Sequence, residues 1–161
     1  MNNVILIGMP ASGKSTVGAL LAKELDRVLL DTDAEIVRRT GINIPTLIRE
    51  RGEAAFREIE AETVRSLAGG TAGAVIATGG GAILRNDSLR ALHRTGRLYF
   101  LDRPLDALVT TADRPLSSTK EAIAQRHRER YPIYVATADA IIANSATPEA
   151  AVQQVKKEFF K

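Results

Sequence analysis

The chain has no cysteine among its 161 residues, and aromatic residues make up only 4% of it. The lack of cysteine excludes disulfides, thiolate metal sites and a cysteine nucleophile, and it is ordinary for a cytoplasmic protein. The net charge is only +3, and no basic stripe is interleaved with aromatic rings of the kind that stack on nucleic acid. We therefore expect small anionic substrates rather than a nucleic-acid partner.

Long apolar runs are also missing. No stretch approaches the roughly 20 apolar residues that a membrane span needs, and the first apolar run, residues 4–7, is short and lacks a basic leader. No repeat, low-complexity segment or long linker divides the chain, and 45% of its residues are hydrophobic. We therefore expect one cytoplasmic domain over residues 1–161, with no membrane contact.

Short apolar runs alternate with amphipathic stretches, a pattern that predicts an α/β layer fold. One helix is predicted to begin at Lys14, a longer one buries a face that includes Phe56 and Thr63, and Thr147 caps the last. The predicted strands are residues 3–8, 28–30, 74–78, 97–101 and 140–143.

The stretch GMPASGKS follows the first predicted strand and opens the first predicted helix. Gly8, Gly13, Lys14 and Ser15 fit the phosphate-loop pattern G-x-x-x-x-G-K-[ST]. In such a loop, glycines let backbone N–H groups turn inward around phosphate oxygens, the lysine reaches the β- and γ-phosphates, and the hydroxyl ligates Mg²⁺. The sequence therefore predicts binding of a nucleoside triphosphate.

The reaction depends on the remaining polar groups. The Asn-Lys-x-Asp sequence of GTPases and the acidic Walker B strand of large ATPases are absent. Asp31 and Asp33 follow the second predicted strand, at the sheet edge where ligands bind in open α/β folds. One carboxylate could hold Mg²⁺ through water while the other accepts a proton from a hydroxyl; alternatively, Asp33 simply caps a helix.

Three further stretches suggest an acceptor site. Arg57 and Glu60 are three residues apart on one predicted helix, which suits either an anion-binding arginine held by a carboxylate or an ordinary surface ion pair. The glycine run 79–81 follows a predicted buried strand and favours close approach of a ligand, with a simple turn as the alternative. The stretch RERYPIY, which includes Arg130, is either part of the site or a solvated basic face.

Taken together, these stretches resemble the shikimate kinase family. The phosphate loop, DTD, GE..FR.IE, TGGG, RPL and an arginine before x-P-I-Y occur in the family's order across residues 8–134. The resemblance implies a P-loop α/β/α fold with a five-stranded parallel sheet in the order 2-3-1-4-5. It also implies transfer of the ATP γ-phosphate to the 3-hydroxyl of shikimate in a monomer, with substrate-binding helices at about 33–62 and a lid at about 110–121.

The resemblance implies a role for each matching position. The implied catalytic residues are Lys14, Asp33 and Arg114. The implied Mg²⁺-binding residues are Ser15, which ligates the ion, and Asp31, which holds it through water. The implied ATP-binding residues are Ala11, Ser12, Gly13, Lys14, Ser15, Thr16, Arg114 and Pro148. The implied shikimate-binding residues are Asp33, Arg57, Gly79, Gly80, Gly81 and Arg130, with the two arginines on the carboxylate of shikimate.

One departure from the family pattern concerns adenine. Thr110 or Thr111 stands where the family usually has an arginine that stacks on the base. The stretch NSATPE around Pro148 resembles the family's adenine-binding loop, but we expect weaker nucleotide affinity. Two other functions stay open at this stage: a kinase for another small hydroxy-acid such as gluconate, and a regulatory nucleotide-binding domain without catalysis.

Overall fold

The fold was analysed in a computed structural model that describes residues 2–108 and 119–161. Five strands form one parallel sheet: β1 (Asn3–Ile7), β2 (Leu29–Asp31), β3 (Val75–Ala77), β4 (Gly96–Asp102) and β5 (Ala140–Ala143). Their order across the sheet is β2-β3-β1-β4-β5, so the predicted sheet order is confirmed. All four strand pairings are parallel, as strands joined by helical crossovers must be.

Seven α-helices connect or follow these strands in the described part of the chain. They are α1 (Lys14–Leu25), α2 (Thr32–Thr40), α3 (Ile44–Arg51), α4 (Glu53–Gly70), α5 (Asn86–Thr95), α6 (Lys120–Thr137) and α7 (Pro148–Phe159). The predicted cap of the last helix is confirmed, because the Thr147 side chain accepts a hydrogen bond from the Ala150 N–H. No helix within the two described ranges has the length and apolar character needed to cross a membrane.

The core lies on both faces of the sheet because alternate strand residues point in opposite directions. In β1, Ile5 and Ile7 join a cluster with side chains of α4, α5 and α6. Val4 and Leu6 face the opposite side and join a cluster with side chains of α1 and α7. This two-sided burial gives the three-layer α/β/α arrangement that the sequence predicts.

A third, smaller cluster lies outside the sheet. Ile36 of α2, Leu47 of α3 and Phe56 of α4 are buried against one another. Their packing fixes the relative positions of the three helices, and two of these helices carry predicted site residues: Asp33 on α2 and Arg57 on α4.

Several predicted boundaries shift by a residue or two. β2 was expected at 28–30, but it is Leu29–Asp31, so Asp31 is the last residue of the strand instead of following it. Residues 119–121, the end of the predicted lid, belong to the start of α6: the Thr119 side chain accepts a hydrogen bond from the Ala122 N–H. Residues 110–118 of that lid lie outside the described residues.

Candidate active site

The phosphate loop joins β1 to α1 and has the backbone geometry that the sequence predicts. Gly13 has φ = 96°, a conformation that a side chain disfavours. Ala11 also has a positive φ, 67°, which is uncommon for a residue with a Cβ. A Cβ added at Gly13 would lie 2.7 Å from Asn144 Nδ2, so this glycine also leaves room for a side chain of the neighbouring loop.

Lys14 lies against this loop. Its Nζ donates to the carbonyl oxygens of Gly8 at 2.8 Å and Met9 at 2.7 Å, and a longer bond of 3.4 Å joins it to Ser12 Oγ. The residue is 8% exposed. The amine is therefore held at the loop itself, where a bound phosphate would lie.

Asp31 links the phosphate loop to α2. Its Oδ2 accepts a hydrogen bond of 2.8 Å from Ser15 Oγ, and its Oδ1 accepts bonds from the N–H groups of Asp33 and Ala34 at 3.0 and 3.1 Å. Asp31 is thus the N-cap of α2. The alternative in which Asp33 caps the helix is wrong, because Asp33 already lies inside the first turn.

The glycine run 79–81 is explained by side chains that approach each of the three glycines closely. A Cβ at Gly79 would lie 2.8 Å from both Asp33 Oδ1 and Glu60 Oε2, and one at Gly81 would lie 2.5 Å from Arg57 Nη1. None of the three glycines has a positive φ. The run is therefore required for space and not for backbone conformation.

Gly80 is held by two further contacts. Its carbonyl oxygen accepts a hydrogen bond of 2.5 Å from the Tyr134 hydroxyl, and a Cβ there would lie 2.7 Å from Pro10 of the phosphate loop and 3.2 Å from Arg130 Nη1. Burial raises the pKa of Tyr134 to about 12, so its hydroxyl stays protonated and can donate to Gly80 at neutral pH.

Two arginines and a buried carboxylate complete the arrangement. Arg57 Nη1 donates to Glu60 Oε1 at 2.7 Å, and both Glu60 and Arg130 are 3% exposed. The alternatives of a surface ion pair and a solvated basic face are wrong for these side chains. Burial raises the pKa of Glu60, against the opposing charges of Arg57 and Arg130, and burial lowers the pKa of Arg130.

One cavity of about 340 Å³ opens onto most of these groups. Its walls include Lys14 of the phosphate loop, Asp33, Arg57 and Arg130. The other predicted site residues that line it are Ala11, Gly13, Ser15, Thr16, Asp31, Gly79, Gly80 and Gly81. Ser12 does not line it; this residue is 1% exposed, and its carbonyl oxygen accepts a hydrogen bond of 2.7 Å from Asn144 Nδ2.

Comparison with known proteins identifies the family. The family model for shikimate kinase matches residues 10–160. This chain belongs to the shikimate kinase family. The resemblance read from the sequence is therefore confirmed over most of its length.

Similar shikimate kinases occur in distant bacteria. The chain is 38% identical over 160 residues to the shikimate kinase of Clostridium botulinum (strain Eklund 17B / Type B), covering 97% of this chain and 96% of the relative. It is 40% identical over 155 residues to that of Pseudomonas putida, covering 92% and 90%.

Solved shikimate kinase structures have the same fold. The structure from Acinetobacter baumannii in complex with shikimate superposes with a TM-score of 0.90 at 31% identity, covering 99% of this chain and 91% of that one. The structure from Aquifex aeolicus gives 0.86 at 32% identity, covering 98% and 96%.

Two predicted site residues of this shikimate kinase family member remain, Pro148 and Arg114. Pro148 lines a second cavity of about 170 Å³, with Asn144 and Thr16 among its neighbours. Arg114, and Thr110 and Thr111 before it, lie outside the described residues.

Two residues beside the site have no clear signal in the sequence. Tyr134 belongs to a stretch that the sequence marks only as basic, yet it is fully buried and its hydroxyl donates to the carbonyl oxygen of Gly80. Arg103 belongs to no predicted motif, although it lines both cavities. The available signal for Arg103 was its position two residues after a predicted strand, at the sheet edge where ligands bind.

Proposed function

We propose that the chain transfers the γ-phosphate of ATP to the 3-hydroxyl of shikimate, with the residues gathered around the larger cavity performing the reaction. The single observation that carries this proposal is that a phosphate loop and two arginines, the half-buried Arg57 and the buried Arg130, line the same cavity, with Asp33 also on its wall. A regulatory domain that only binds a nucleotide would not need the two arginines on the cavity wall.

Arg57 and Arg130 are proposed to bind the shikimate carboxylate. A guanidinium offers planar N–H donors that match a carboxylate, and Glu60 holds Arg57 by the 2.7 Å bond. The apolar side chains of Ile44, Ile48 and Phe56 line the same cavity and suit a hydrocarbon ring. A carboxylic acid with a compact ring is therefore favoured over an open-chain acid such as gluconate.

Asp33 is proposed to be the base. The 3-hydroxyl oxygen forms a bond to the γ-phosphorus, the bond from that phosphorus to the β–γ bridging oxygen breaks, and the hydroxyl proton passes to the Asp33 carboxylate. ADP is the leaving group. Lys14 would stabilise charge on the transferred phosphoryl group, since phosphoryl transfer depends mainly on alignment and charge.

Ser15 and Asp31 are proposed to hold Mg²⁺. Their side-chain oxygens are 2.8 Å apart, and both are the hard oxygen ligands that this ion takes. When bound with ATP, Mg²⁺ would neutralise charge on the β- and γ-phosphates. Arg114 is proposed to add a further positive charge from the lid, and the monomeric state and cytoplasmic location expected from the sequence stay predictions.

Product analysis tests the function. ATP is incubated with Mg²⁺ and, separately, shikimate, shikimate methyl ester, gluconate or no acceptor, and the products are analysed by ³¹P NMR. We expect shikimate 3-phosphate from shikimate and a much lower rate with the methyl ester, which lacks the negative charge that the arginines bind. Gluconate phosphate without shikimate phosphate would support the other kinase, and ATP binding without any product would support the regulatory domain.

A further inference from the structure

Arg103 lies directly after β4, at the carboxyl edge of the sheet. It is half-buried, and its Nη1 donates to the carbonyl oxygen of Ala11 in the phosphate loop at 3.3 Å. Within the two described ranges this is its only hydrogen bond. A guanidinium has five N–H donors, so most of its hydrogen-bonding capacity is available to a ligand beside the phosphate loop.

The two cavities described above share this side chain. Arg103 lines the larger cavity together with Lys14 and Ser15, and it lines the second cavity together with Pro104 and Pro148. Gly13 and Thr16 also lie on both walls. The two spaces are therefore neighbours, and the guanidinium lies where a ligand would pass from one to the other.

The second cavity suits the uncharged part of a nucleotide. Val17, Pro104, Ala107, Ala146 and Pro148 give it apolar walls, against which a flat base can pack. Of the described residues that line it, Arg103 alone carries a charge. A guanidinium is planar and weakly hydrated, and it can both stack on an aromatic ring and donate hydrogen bonds from its edge.

We propose that Arg103 is a nucleotide-binding residue that holds the nucleoside part of ATP at the junction of the two cavities. The proposal rests on the proposed kinase function for the identity of the nucleotide. It also accounts for adenine binding in a chain that has threonine, not arginine, at positions 110 and 111.

Calorimetric titrations of the whole protein test this assignment. ADP, inorganic tripolyphosphate and shikimate are titrated separately into the parent and into the variants Arg103→Ala, Arg103→Gln and Arg90→Ala. Arg90 is an exposed arginine on α5 and serves as the control for loss of one positive charge. Arg103→Gln keeps a polar side chain at this position and is therefore expected to disturb the fold less than Arg103→Ala. It can be titrated even if Arg103→Ala has a lowered melting temperature.

We expect ADP to bind at least about tenfold more weakly to both Arg103 variants, the loss expected for one charge-assisted contact. Tripolyphosphate should lose less affinity than ADP because it has no nucleoside for Arg103 to hold. Shikimate affinity should change by no more than about twofold, and Arg90→Ala should match the parent. Unchanged ADP affinity, or an equal loss for ADP and tripolyphosphate, would overturn the assignment. Because these titrations need no turnover, a parent protein that fails to phosphorylate shikimate would refute the proposed function separately.

Discussion

Ser15 Oγ donates a hydrogen bond of 2.8 Å to Asp31 Oδ2, and through it the phosphate loop is joined to the start of α2. The other oxygen of the same carboxylate caps α2. The helix that Asp31 caps carries Asp33, so Asp31 helps to place the proposed base relative to the phosphate loop. Because Asp31 accepts the capping hydrogen bonds and Asp33 does not, the structural and catalytic roles of the two aspartates are separable.

Asp33→Asn should lower kcat by about 100- to 10,000-fold, the range for loss of a general base. Its melting temperature should change little, because Asp31 and not Asp33 accepts the capping hydrogen bonds. Asp31→Ala should instead cost about 1 kcal/mol of stability, the usual effect of removing an N-cap. Thermal unfolding and steady-state kinetics of both variants check this, and a large stability loss in Asp33→Asn would contradict it.

Asp31 should also determine the Mg²⁺ concentration that half-maximal activity requires. Asp31→Asn keeps a capping side chain but removes the negative charge, so half-maximal activity should require a higher concentration of Mg²⁺. The measurement is the rate as a function of free Mg²⁺ at saturating ATP and shikimate. An unchanged Mg²⁺ dependence would place the ion elsewhere.

Arg57→Ala should weaken shikimate binding by roughly 10- to 100-fold, the loss expected when a charged hydrogen-bonding partner is removed. ADP binding should stay within about twofold, because the phosphate loop loses only one distant charge. Arg65→Ala is the matched control, since Arg65 lies on the same helix but pairs with Asp87 at the surface. Calorimetry with each ligand measures both affinities, and equal losses for shikimate and ADP would contradict the assignment.

Gly81→Ala should weaken shikimate binding with little effect on stability. The added Cβ would lie 2.5–2.7 Å from the guanidinium atoms of Arg57, and these belong to the end of a flexible side chain that can move aside. Gly69→Ala is the control, because nothing lies within 4 Å of a Cβ there and alanine is favoured in a helix. Shikimate affinity and melting temperature are measured for both, and unchanged affinity in Gly81→Ala would show that Arg57 can shift without consequence.

Glu35 on α2 should contribute to stability in a pH-dependent way. Hydrogen bonds from Arg38 and Arg39 lower its pKa from 4.5 to about 2, so folding favours its ionised form. The contribution is fully present above about pH 4.5 and is lost as the pH falls toward 2. Glu35→Gln should therefore be less stable than the parent at pH 7, and the difference should shrink below pH 4.5.

Thermal unfolding at several pH values checks the contribution of Glu35. Glu62→Gln, an exposed position on α4, should follow the parent throughout. A difference between Glu35→Gln and the parent that stays constant down to pH 2 would contradict the lowered pKa.

Much of the fold could be predicted because its signals are local. Apolar runs located all five strands to within two residues at either end, and Thr147 with Pro148 marked the start of α7. The order of the strands came from the family resemblance, since no local pattern states which strands are neighbours. Where contacts between distant segments decide, local signals give no guidance: Tyr134 lies beyond Pro132 in α6, yet it is buried and its hydroxyl donates to Gly80.

The site residues likewise divide into those with a local sequence signal and those placed by contacts between distant segments. The phosphate loop was readable because its glycines, lysine and serine are close in sequence and need a fixed spacing. The burial of Glu60 near Arg57 and Arg130 could not be predicted, because it depends on how segments that are distant in the sequence meet around the glycine run. Arg103 has no motif around it, and its position near the end of a predicted strand is a weak signal; its place on the walls of the two cavities shows that it belongs beside the site.

The most direct test of the account is a crystal structure with shikimate and a non-hydrolysable ATP analogue bound together. We predict that the shikimate carboxylate contacts Arg57 and Arg130, that its 3-hydroxyl faces Asp33, and that the γ-phosphate lies at Lys14. A carboxylate bound away from both arginines, or a 3-hydroxyl turned away from the phosphate loop, would contradict it.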